Sequence, residues 1–390
     1  MKYITRTVWI LSLVSLFTDT ASEMLYPIMP LYLKSIGFSV VLIGLLEGIA
    51  EASAGLSKGY FGKLSDITQK RVPFVQIGYS LSAISKPIIG LLQYPIWIFL
   101  ARTMDRLGKG IRTSARDAIL SAEATKETKG KIFGFHRSMD TFGAVLGPTF
   151  ALIYLYFYPN DYQTLFIIAF VPGVLAVLFS IFLKEKSNIT RKNDNIVYLK
   201  FFEFLKYWKA STKGYKILVL GLLFFTLFNS SDVFLLLKAK QSGFDDSTII
   251  GIYIFYNLIY AIFSYPLGIV ADRIGLKKIF IIGLALFAIV YFLMSFADSI
   301  ILLIIIFFLY GIYAAATEGI SKALLTNHCN ETDTATAIGT FSAFQSIFTM
   351  LASSLAGFIW YKFGASFTFI STGIVTTLVI IYYLINFNKI

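Results

Sequence analysis

Acidic side chains recur inside long apolar segments near the start of the chain. Asp19 and Glu23 lie one helical turn apart. Glu47, Glu51 and Lys58 fall within about 40° of one another at 100° per residue and so form one polar stripe. A charge at the centre of a bilayer costs on the order of 2.5 to 3.5 kcal/mol, so its retention indicates a partner or a water-lined path. Two carboxylates one turn apart repel when both are ionised, which makes a protonatable pair, and we expect the four carboxylates to include a proton carrier.

Basic side chains in the same segments supply counter-ions for these carboxylates. We expect Arg102 or Arg137 to modulate the proton carrier. For each carboxylate, a fixed structural salt bridge is an equal alternative. Two pairs at i,i+4 near the helix ends favour structural roles: Asp105 with Lys109, and His136 with Asp140. The second half of the chain offers far fewer such charges, mainly Asp232, Glu318 and Lys322.

The composition excludes most classes of soluble protein. The chain has 390 residues, of which 57% are hydrophobic and 14% are charged, whereas a soluble domain carries about 25% charged residues. The mean hydropathy is +0.73. The single cysteine, Cys329, excludes an internal disulfide framework and a thiolate metal cluster, and two histidines leave little for a histidine-ligated metal site. We therefore expect an all-α membrane protein without a metal site, catalytic residues or a nucleotide-binding loop.

Apolar windows of roughly 20 residues, separated by polar or Gly/Pro stretches, predict twelve membrane-spanning helices. Their approximate spans are 8–33, 39–62, 73–93, 95–113, 132–156, 163–183, 217–238, 247–268, 279–297, 299–322, 335–360 and 366–388. The turns between them are short, so successive helices must run antiparallel. One long break, Lys184–Lys216, separates two six-helix halves. The predicted units are residues 1–184, a basic linker at 185–216, and residues 217–390.

The linker contains apolar residues at helical spacing, alternating with Lys200, Lys206 and Lys209. The apolar residues are Val197, Phe201, Phe204, Leu205 and Trp208. This pattern predicts an amphipathic helix that lies on the membrane surface or, equally, packs under the helix bundle. In both cases we expect the linker to act as a tether.

The net charge of +12 is mainly a signal of membrane orientation. Lys and Arg concentrate on the side that includes both chain ends and the linker, whereas the other side has Lys34, Lys238, Lys240 and Lys362. Because cytoplasmic loops carry the excess of Lys and Arg, both termini are predicted to be cytoplasmic. The excess indicates attraction to anionic lipid heads and not to nucleic acid. The start of the chain has basic residues before an apolar run, as a signal peptide does. Asp19 and Glu23 interrupt this run, so a signal peptide is not predicted.

The two halves share an internal repeat. Gly62 and Asp66, at the end of the second span, recur 206 residues later as Gly268 and Asp272, and basic residues follow both copies. The turn dipeptides that begin at residues 37 and 243, both Gly-Phe, share this offset. Two related halves about an axis along the membrane normal place a substrate path between them.

The repeated motif resembles that of the major facilitator superfamily of secondary transporters, and the resemblance covers essentially the whole chain. The family motif G-x-L-x-D-x-x-G-R-[RK] appears as GKLSDITQKR from Gly62, with Gln69 where a glycine is usual, and as GIVADRIGLKK from Gly268. The resemblance implies a gating latch in which an aspartate caps or pairs with the end of a neighbouring helix. Its residues would be Gly62, Asp66, Lys70, Arg71, Gly268, Asp272 and Arg273. The alternative is that the charged residues of this motif lie in loops and serve only to set the orientation of the helices in the membrane.

A glycine and proline pattern in the fifth span resembles the proton-coupled antiporter branch of this superfamily. The motif G-x8-G-x3-G-P is matched by Gly134, Gly143, Gly147 and Pro148, although Ala151 begins a departure from its final Gly-Gly. The two later glycines share a helix face and allow close crossing, and the proline adds a kink. Glycine spacing that serves packing alone is the alternative. The strings DRLGKGIRTSARDA and FGFHRSMDTFGAVLGP resemble a subgroup of prokaryotic transporters and leave the cargo open.

Together these features predict a transporter of the inner (cytoplasmic) cell membrane that works by alternating access. The repeat places five side chains on helices that can face a central cavity: Tyr26, Asn229, Asp232, Asn257 and Glu318. We expect a monomer that exports a small amphipathic solute in exchange for protons, with a proton gradient and no bound cofactor. A proton-coupled importer of a metabolite is the nearest alternative. A membrane-embedded transferase is less favoured because His136 and His328 form no catalytic set.

Overall fold

The computed structural model describes residues 4–92, 94–185, 199–229 and 232–387, and these residues form helices and turns without a strand. The helices are α1 Arg6–Leu25, α2 Met29–Ser35, α3 Val40–Thr68, α4 Val72–Leu91, α5 Pro95–Ala122, α6 Lys129–Phe157, α7 Tyr162–Ser180, α8 Tyr207–Ala210, α9 Lys213–Phe228, α10 Val233–Gln241, α11 Asp246–Ile274, α12 Leu276–Met294, α13 Ile300–Asn327, α14 Thr334–Phe363 and α15 Ala365–Asn386. Two 3₁₀ turns, Glu203–Lys206 and Glu331–Asp333, precede α8 and α14. The prediction of an all-α membrane fold is confirmed.

Local sequence explains where many of these helices begin. Side-chain oxygens of Thr, Ser and Asp accept a hydrogen bond from the backbone N–H three residues on, which satisfies one of the free donors of the first turn. The capping residues are Thr5, Ser39, Asp161, Thr212, Asp245 and Ser299. The turns before α3 and α11 contain Gly37 at φ +91° and Gly243 at φ +92°. Both copies of the repeated Gly-Phe turn therefore adopt the left-handed conformation that favours glycine.

Eight described helices are long and apolar enough to cross a membrane by themselves: α1, α6, α7 and α11 to α15. Helices α3, α4 and α5 have sufficient length but contain more polar residues, and α9 has only 16 residues before a break. These four complete the predicted twelve. Helix α5 continues to Ala122, whereas the predicted span ended at residue 113, because charged residues in its last turns lower its hydropathy.

The prediction that the first and seventh spans are continuous helices is wrong. The first helix ends at Leu25 and α2 starts at Met29. Pro27 lies at this break, where it has no backbone N–H to donate to the carbonyl one turn earlier and so interrupts the helical hydrogen bonds. The seventh span is divided into α9 and α10 at the polar stretch NSSD, which begins at Asn229. Short polar side chains compete for backbone hydrogen bonds and so weaken a helix at such a point.

The helices assemble into two sets that meet along two seams. In the first half, α1 packs against α6 and α7, and α4 packs against α5 and α7. In the second half, α13 packs against α11 and α12, and α15 packs against α12 and α9. Between the halves, α3 contacts α14 and α6 contacts α11. The space between these two seams is the predicted path.

One end of the bundle, which we call the terminal face, includes the start of α1 and the end of α15. At this face Lys129 Nζ donates to the Thr326 carbonyl at 2.8 Å, and Lys277 Nζ donates to the Phe387 carbonyl at 2.8 Å. The Glu185 carboxylate accepts from the backbone N–H of Val72 at 2.8 Å and so caps α4. The opposite end, the far face, includes Ser242, whose hydroxyl donates to the Ala297 carbonyl at 2.8 Å.

The described part of the linker is shorter and more buried than an amphipathic surface helix. It forms a 3₁₀ turn and α8, which are bent by 116° from α9, and Val197 lies outside the described residues. The Phe204 side chain is buried, and a Cβ placed on Gly59 of α3 would lie 2.5 Å from its ring. Thr340 of α14 donates to the Phe204 carbonyl at 3.3 Å. The linker therefore packs against the seam between α3 and α14.

Candidate functional site

The glycines of the fifth predicted span bring α6 into close contact with α1. A Cβ placed on Gly143 would lie 2.9 Å from the Thr20 backbone nitrogen, and one on Gly147 would lie 2.6 Å from that of Met24. On the other side of α6, a Cβ on Gly134 would lie 2.5 Å from the Ser264 carbonyl oxygen of α11. These three positions therefore require glycine for helix packing. Pro148 lies inside α6 one residue beyond the α1 crossing.

The crossing of α1 and α6 places the Asp19 carboxyl group close enough to Asp140 for the two groups to interact directly. Asp140 also accepts from Ser15, and it lies 2.9 Å from Arg137 Nη1 and 4.0 Å from Arg116 Nη1. A hydrogen bond between two carboxyl groups requires a proton on one of them, because an ionised carboxylate only accepts. In this arrangement the two carboxyl groups can share one proton.

This geometry changes the predicted pairing of Asp19 with Glu23. Glu23 faces α11, where Tyr253 Oη lies 3.5 Å from its carboxylate. Side chains one turn apart on α1 project towards different neighbouring helices, so Asp19 finds its acidic partner on α6. The predicted pair of His136 with Asp140 is also replaced, since His136 is buried with Nδ1 3.5 Å from the Ser12 hydroxyl.

A second network joins the polar stripe of α3 to α5. Glu47 binds Arg102 through two contacts, of 2.7 Å to Nε and 2.9 Å to Nη2. Arg106 lies 3.8 Å from Glu47 and 3.7 Å from Glu51. The bidentate pair fixes Arg102 and Glu47 relative to each other. Half of the Glu51 side chain, 53%, is exposed, although Glu51 lies near the middle of α3.

Asp105 is enclosed by basic groups of its own half. It lies 3.5 Å from Lys86 Nζ and 3.5 Å from Arg102 Nη1, so the predicted Asp105–Lys109 pair is not formed. Lys109 is instead exposed at the middle of α5. Lys58, the last residue of the polar stripe, is partly exposed. Among the described residues, no carboxylate lies within 4 Å of Lys58 Nζ or Lys109 Nζ.

Two ion pairs connect the halves beside Asp19 and Asp140. Arg137 Nη2 of α6 lies 3.4 Å from Glu318 of α13, and Lys322 of α13 lies 2.7 Å from Asp117 of α5. Both pairs border a small polar cleft, lined by Arg116, Phe133, His136, Arg137, Asp140, Glu318, Gly319 and Lys322. Sequence reasoning missed Arg116 and Asp117 because the predicted fourth span ended before them.

The second half contributes mainly tyrosines to the space between the seams. Asp232 accepts from Tyr310 Oη at 2.6 Å, and Asn229 lies 3.4 Å from Tyr313 Oη. Asn257 donates to the Tyr253 carbonyl at 3.0 Å and is buried. Tyr26, opposite these groups on the first half, is 46% exposed. Tyr260 contacts Arg137 directly. Sequence reasoning also missed Tyr260, because it belongs to none of the motifs.

The repeated aspartates close the terminal face in equivalent ways. Asp66 of α3 accepts from the Thr336 backbone N–H at 2.6 Å and the Thr336 hydroxyl at 2.9 Å, and Arg71 lies 3.0 Å from it. Asp272 of α11 accepts from two backbone N–H groups of α6, those of Gly130 and Lys131, both at 2.8 Å. Each carboxylate thus caps the first turn of a helix in the other half.

Small residues complete this closure. A Cβ placed on Gly62 would clash with the Ala335 carbonyl of α14, and one on Gly268 would clash with the Gly130 carbonyl of α6. The side chains of Lys70 and Arg273, the other predicted latch residues, are exposed. The structure therefore represents a state in which the two halves are closed against each other at the terminal face.

The described residues contain no group of three His, Cys, Asp or Glu side chains that could hold a metal ion.

The family model described as Major Facilitator Superfamily matches residues 11–255 and 217–388. An uncharacterized MFS-type transporter of Methanocaldococcus jannaschii is 34% identical over 375 residues, which cover 95% of this chain and 92% of the relative. The staphyloferrin B transporter of Staphylococcus aureus is 29% identical over 148 residues, covering 37% of this chain and 34% of that protein.

Solved structures with the same fold extend over almost the whole chain. The human organic anion transporter MFSD10 superimposes with a TM-score of 0.81 at 17% identity, covering 97% of this chain and 98% of that one. The Escherichia coli fucose:proton symporter superimposes with a TM-score of 0.80 at 11% identity, with the same coverage of 97% and 98%. At these identities the likeness concerns the fold alone.

Proposed function

Because the chain belongs to the major facilitator superfamily, a family of multi-pass membrane transporters and not of enzymes, we propose that it exports a small amphipathic solute in exchange for protons. The observation that carries the proton coupling is the direct interaction between Asp19 and Asp140. The export direction is supported by the resemblance of the α6 motif, from Gly134 to Pro148, to the antiporter branch.

Asp19 is the carboxyl group that releases the shared proton. Asp140 accepts a hydrogen bond from Ser15 and lies beside Arg137 and Arg116, so its negative charge is compensated and it remains ionised. Asp19 has no ion pair within 4 Å among the described residues and is partly exposed to the space between the halves. Loss of the proton leaves two negative charges in contact, which favours a rearrangement of α1 against α6.

Such a rearrangement is connected to the opening of the terminal face. Arg137, which binds Asp140, also binds Glu318 of the other half. The charge on Asp19 therefore acts beside an ion pair that crosses between the halves. Opening of the terminal face requires this ion pair to separate, together with the caps formed by Asp66 and Asp272.

The residues beside the path indicate the kind of solute, and the distribution of Lys and Arg indicates the orientation in the membrane. Tyr253 of α11 contacts Glu23 of α1 across the path, and charged groups of α3 and α5 are exposed beside it, which suits a solute with both apolar and polar parts. The excess of Lys and Arg at the terminal face supports a cytoplasmic location for this face and for both termini, in a cell (inner) membrane. Since one chain contains the whole path, a monomer would suffice.

A proton symporter that imports a metabolite is the second candidate. Lys109 acts electrostatically on Asp19 and also on Lys58. Protonation of Asp19 would free Lys109 from this carboxylate and let it bind a negatively charged solute. A proton and an anionic solute would then bind together, as in symport, and not in competition.

Purified protein in liposomes with an imposed pH gradient and an internal pH dye would test the proposal. In exchange, entry of a solute raises the internal pH as protons leave, whereas in symport it lowers the internal pH. We expect Asp19→Asn to abolish the pH change because the amide cannot release a proton. Glu51→Gln should retain it, since Glu51 is exposed and paired with Arg106.

The matched control is Asp161→Asn, a helix cap on α7 that lies outside the path and whose function an asparagine can replace. Loss of the pH change in Glu51→Gln alone would move the carrier to α3. Exchange as in the unmodified protein for both Asp19→Asn and Glu51→Gln would contradict proton coupling through these carboxylates.

A further inference from the structure

Lys58 and Lys109 differ from six other basic side chains of α4, α5 and α6, namely Lys86, Arg102, Arg106, Arg112, Arg116 and Arg137. Each of the others binds a carboxylate or is buried against neutral acceptors. The basic groups with a carboxylate partner are Lys86, Arg102, Arg106, Arg116 and Arg137. Arg112 instead donates to Ser82 and lies over the Tyr79 ring. Lys58 and Lys109 have no such partner among the described residues.

The two ammonium groups belong to one site. A Cβ on Gly110, next to Lys109, would lie 2.5 Å from Ser57 Cβ, next to Lys58, so α3 and α5 cross at this level. Ser114 of α5 donates to the Lys58 carbonyl at 2.9 Å and ties the two helices at the same point. Of the charged groups around Lys58, Lys109 acts on it most strongly and Glu51 next.

The site lies at the floor of the space between the halves. A Cβ placed on Gly339 of α14 would clash with the Lys58 carbonyl, so α3 and α14 are in close contact there. Lys109 lies nearer the middle of the path, where it acts on Asp19, Glu23 and Glu51. Its side chain is exposed, as is that of Glu51, so water reaches this level from the far face.

Two lysines that repel each other inside a bilayer need a counter-charge. Glu51 is an acidic group that acts on Lys58, but it lies 3.7 Å from Arg106 and is balanced by that guanidinium. We propose that Lys58 and Lys109 together bind the carboxylate or phosphate group of the transported solute, which is therefore a small organic anion. This inference rests on the proposed transport function but is independent of the direction of transport and of proton coupling.

The position of the anion gives it a part in the transport cycle. An oxyanion between the two ammonium groups removes their mutual repulsion and binds α3 and α5 together. Because Lys58 lies directly at the contact between α3 and α14, the bound anion also lies beside the contact that must separate when the terminal face opens. The proposed solute site therefore lies next to the contact between α3 and α14, which must separate during transport.

Ligand binding to the purified full-length protein in detergent, followed by thermal unfolding, would test the proposal without any gradient. The probes are three anions, citrate, benzoate and phenyl phosphate, each paired with an uncharged partner: triethyl citrate, benzamide and phenol. We expect at least one anion to raise the unfolding temperature, its partner to have no effect, and added salt to weaken the anion's effect.

Substitutions then locate the site. Lys58→Gln and Lys109→Gln should each weaken the apparent affinity for that anion about tenfold, the loss expected for one charged hydrogen bond. Lys109→Arg should retain most of the affinity because it keeps the charge, and Lys34→Gln, an exposed lysine on α2, serves as the control. The unfolding temperature without ligand reports whether each variant is folded.

Three results would overturn the assignment: equal stabilisation by the uncharged partners, an anion effect that neither Gln variant weakens, or no stabilisation by any anion. A protein that binds the anion through these lysines but shows no pH change in liposomes would retain the anion site and contradict only the proton coupling.

Discussion

Cys329 lies in the turn after α13, where its thiol contacts the Thr326 carbonyl at 3.7 Å and the Thr334 hydroxyl at 3.9 Å. Burial raises the pKa of this thiol to about 11. The thiolate is the reactive form, so a raised pKa lowers the rate of alkylation at neutral pH. Cys329 is the only cysteine in the chain, and its reactivity can be measured without mutagenesis.

We predict that the rate of Cys329 alkylation by iodoacetamide rises about tenfold for each pH unit between neutral pH and pH 9 or above, without a plateau near the ordinary thiol pKa of about 8.5. The protein unfolded in detergent and denaturant is the control and should show that plateau. A plateau near pH 8.5 in the folded protein would show that Cys329 is accessible to water in the closed state.

The sequence predicted which residues carry charge inside the membrane better than it predicted their partners. Glu47 with Arg102 follows from the predicted counter-ions, but Asp19 interacts with Asp140 as well as with Glu23. Spacing along one helix gives the face on which a residue lies and does not give the neighbouring helix that meets that face. The contact of α1 with α6 is set by glycines on α6, more than 120 residues away along the chain.

At the scale of the helix, the close crossing of α1 and α6 determines whether Asp19 and Asp140 can meet. The two interpretations of the glycine motif, packing and antiport, are connected, because the packing of Gly143 against α1 brings the two carboxyl groups together. A larger side chain at Gly143 has to push α1 away by its backbone, since the nearest atoms belong to the main chain of Thr20 and Leu16.

We predict that Gly143→Ala destabilises the protein by about 1 to 3 kcal/mol through overpacking and abolishes proton-coupled movement. Thermal unfolding and the liposome assay measure the two effects. The control is Gly251→Ala in α11, where no atom lies within 4 Å of the added Cβ and the helix gains about 1 kcal/mol in propensity. Full coupling in Gly143→Ala would mean that the spacing of α1 and α6 does not matter for the proton.

The predicted spans give most of the helices, and their errors have two physical causes. Hydropathy underestimates helices that line a polar path, so the predicted end of α5 excluded Arg116 and Asp117. Breaks inside a span leave little trace in average hydropathy, so α2 and α10 were joined to their neighbours. Proline positions could have located the first break, since Pro27 interrupts the span.

At the scale of the whole molecule, two aspartates hold the terminal face closed. Asp272 accepts two backbone hydrogen bonds from the first turn of α6, and these bonds cross between the halves. Removing the charge weakens both bonds in the closed state only, so the equilibrium shifts towards opening of this face.

We predict that Asp272→Asn increases the rate of Cys329 alkylation at constant pH about tenfold, as expected for a loss of about 1.5 kcal/mol in charged hydrogen bonds. Asp272 suits this test because it does not act directly on the Cys329 thiol, whereas Asp66 does. Asp298→Asn, an exposed residue at the far face that lies 3.7 Å from Lys238, is the control and should leave the rate unchanged. An unchanged rate in Asp272→Asn would mean that this cap does not limit opening.

The two halves repeat in some features and differ in others. The left-handed turns at Gly37 and Gly243 and the caps formed by Asp66 and Asp272 recur at one offset, whereas Asp19 and the polar stripe of α3 belong to the first half only. This is the pattern that gene duplication followed by divergence would leave. Both copies retain the turn and the cap, because the terminal face is closed along two seams and each seam has its own cap. Such a duplication would therefore remain visible in the turns and caps and would have been lost from the charged side chains between the halves.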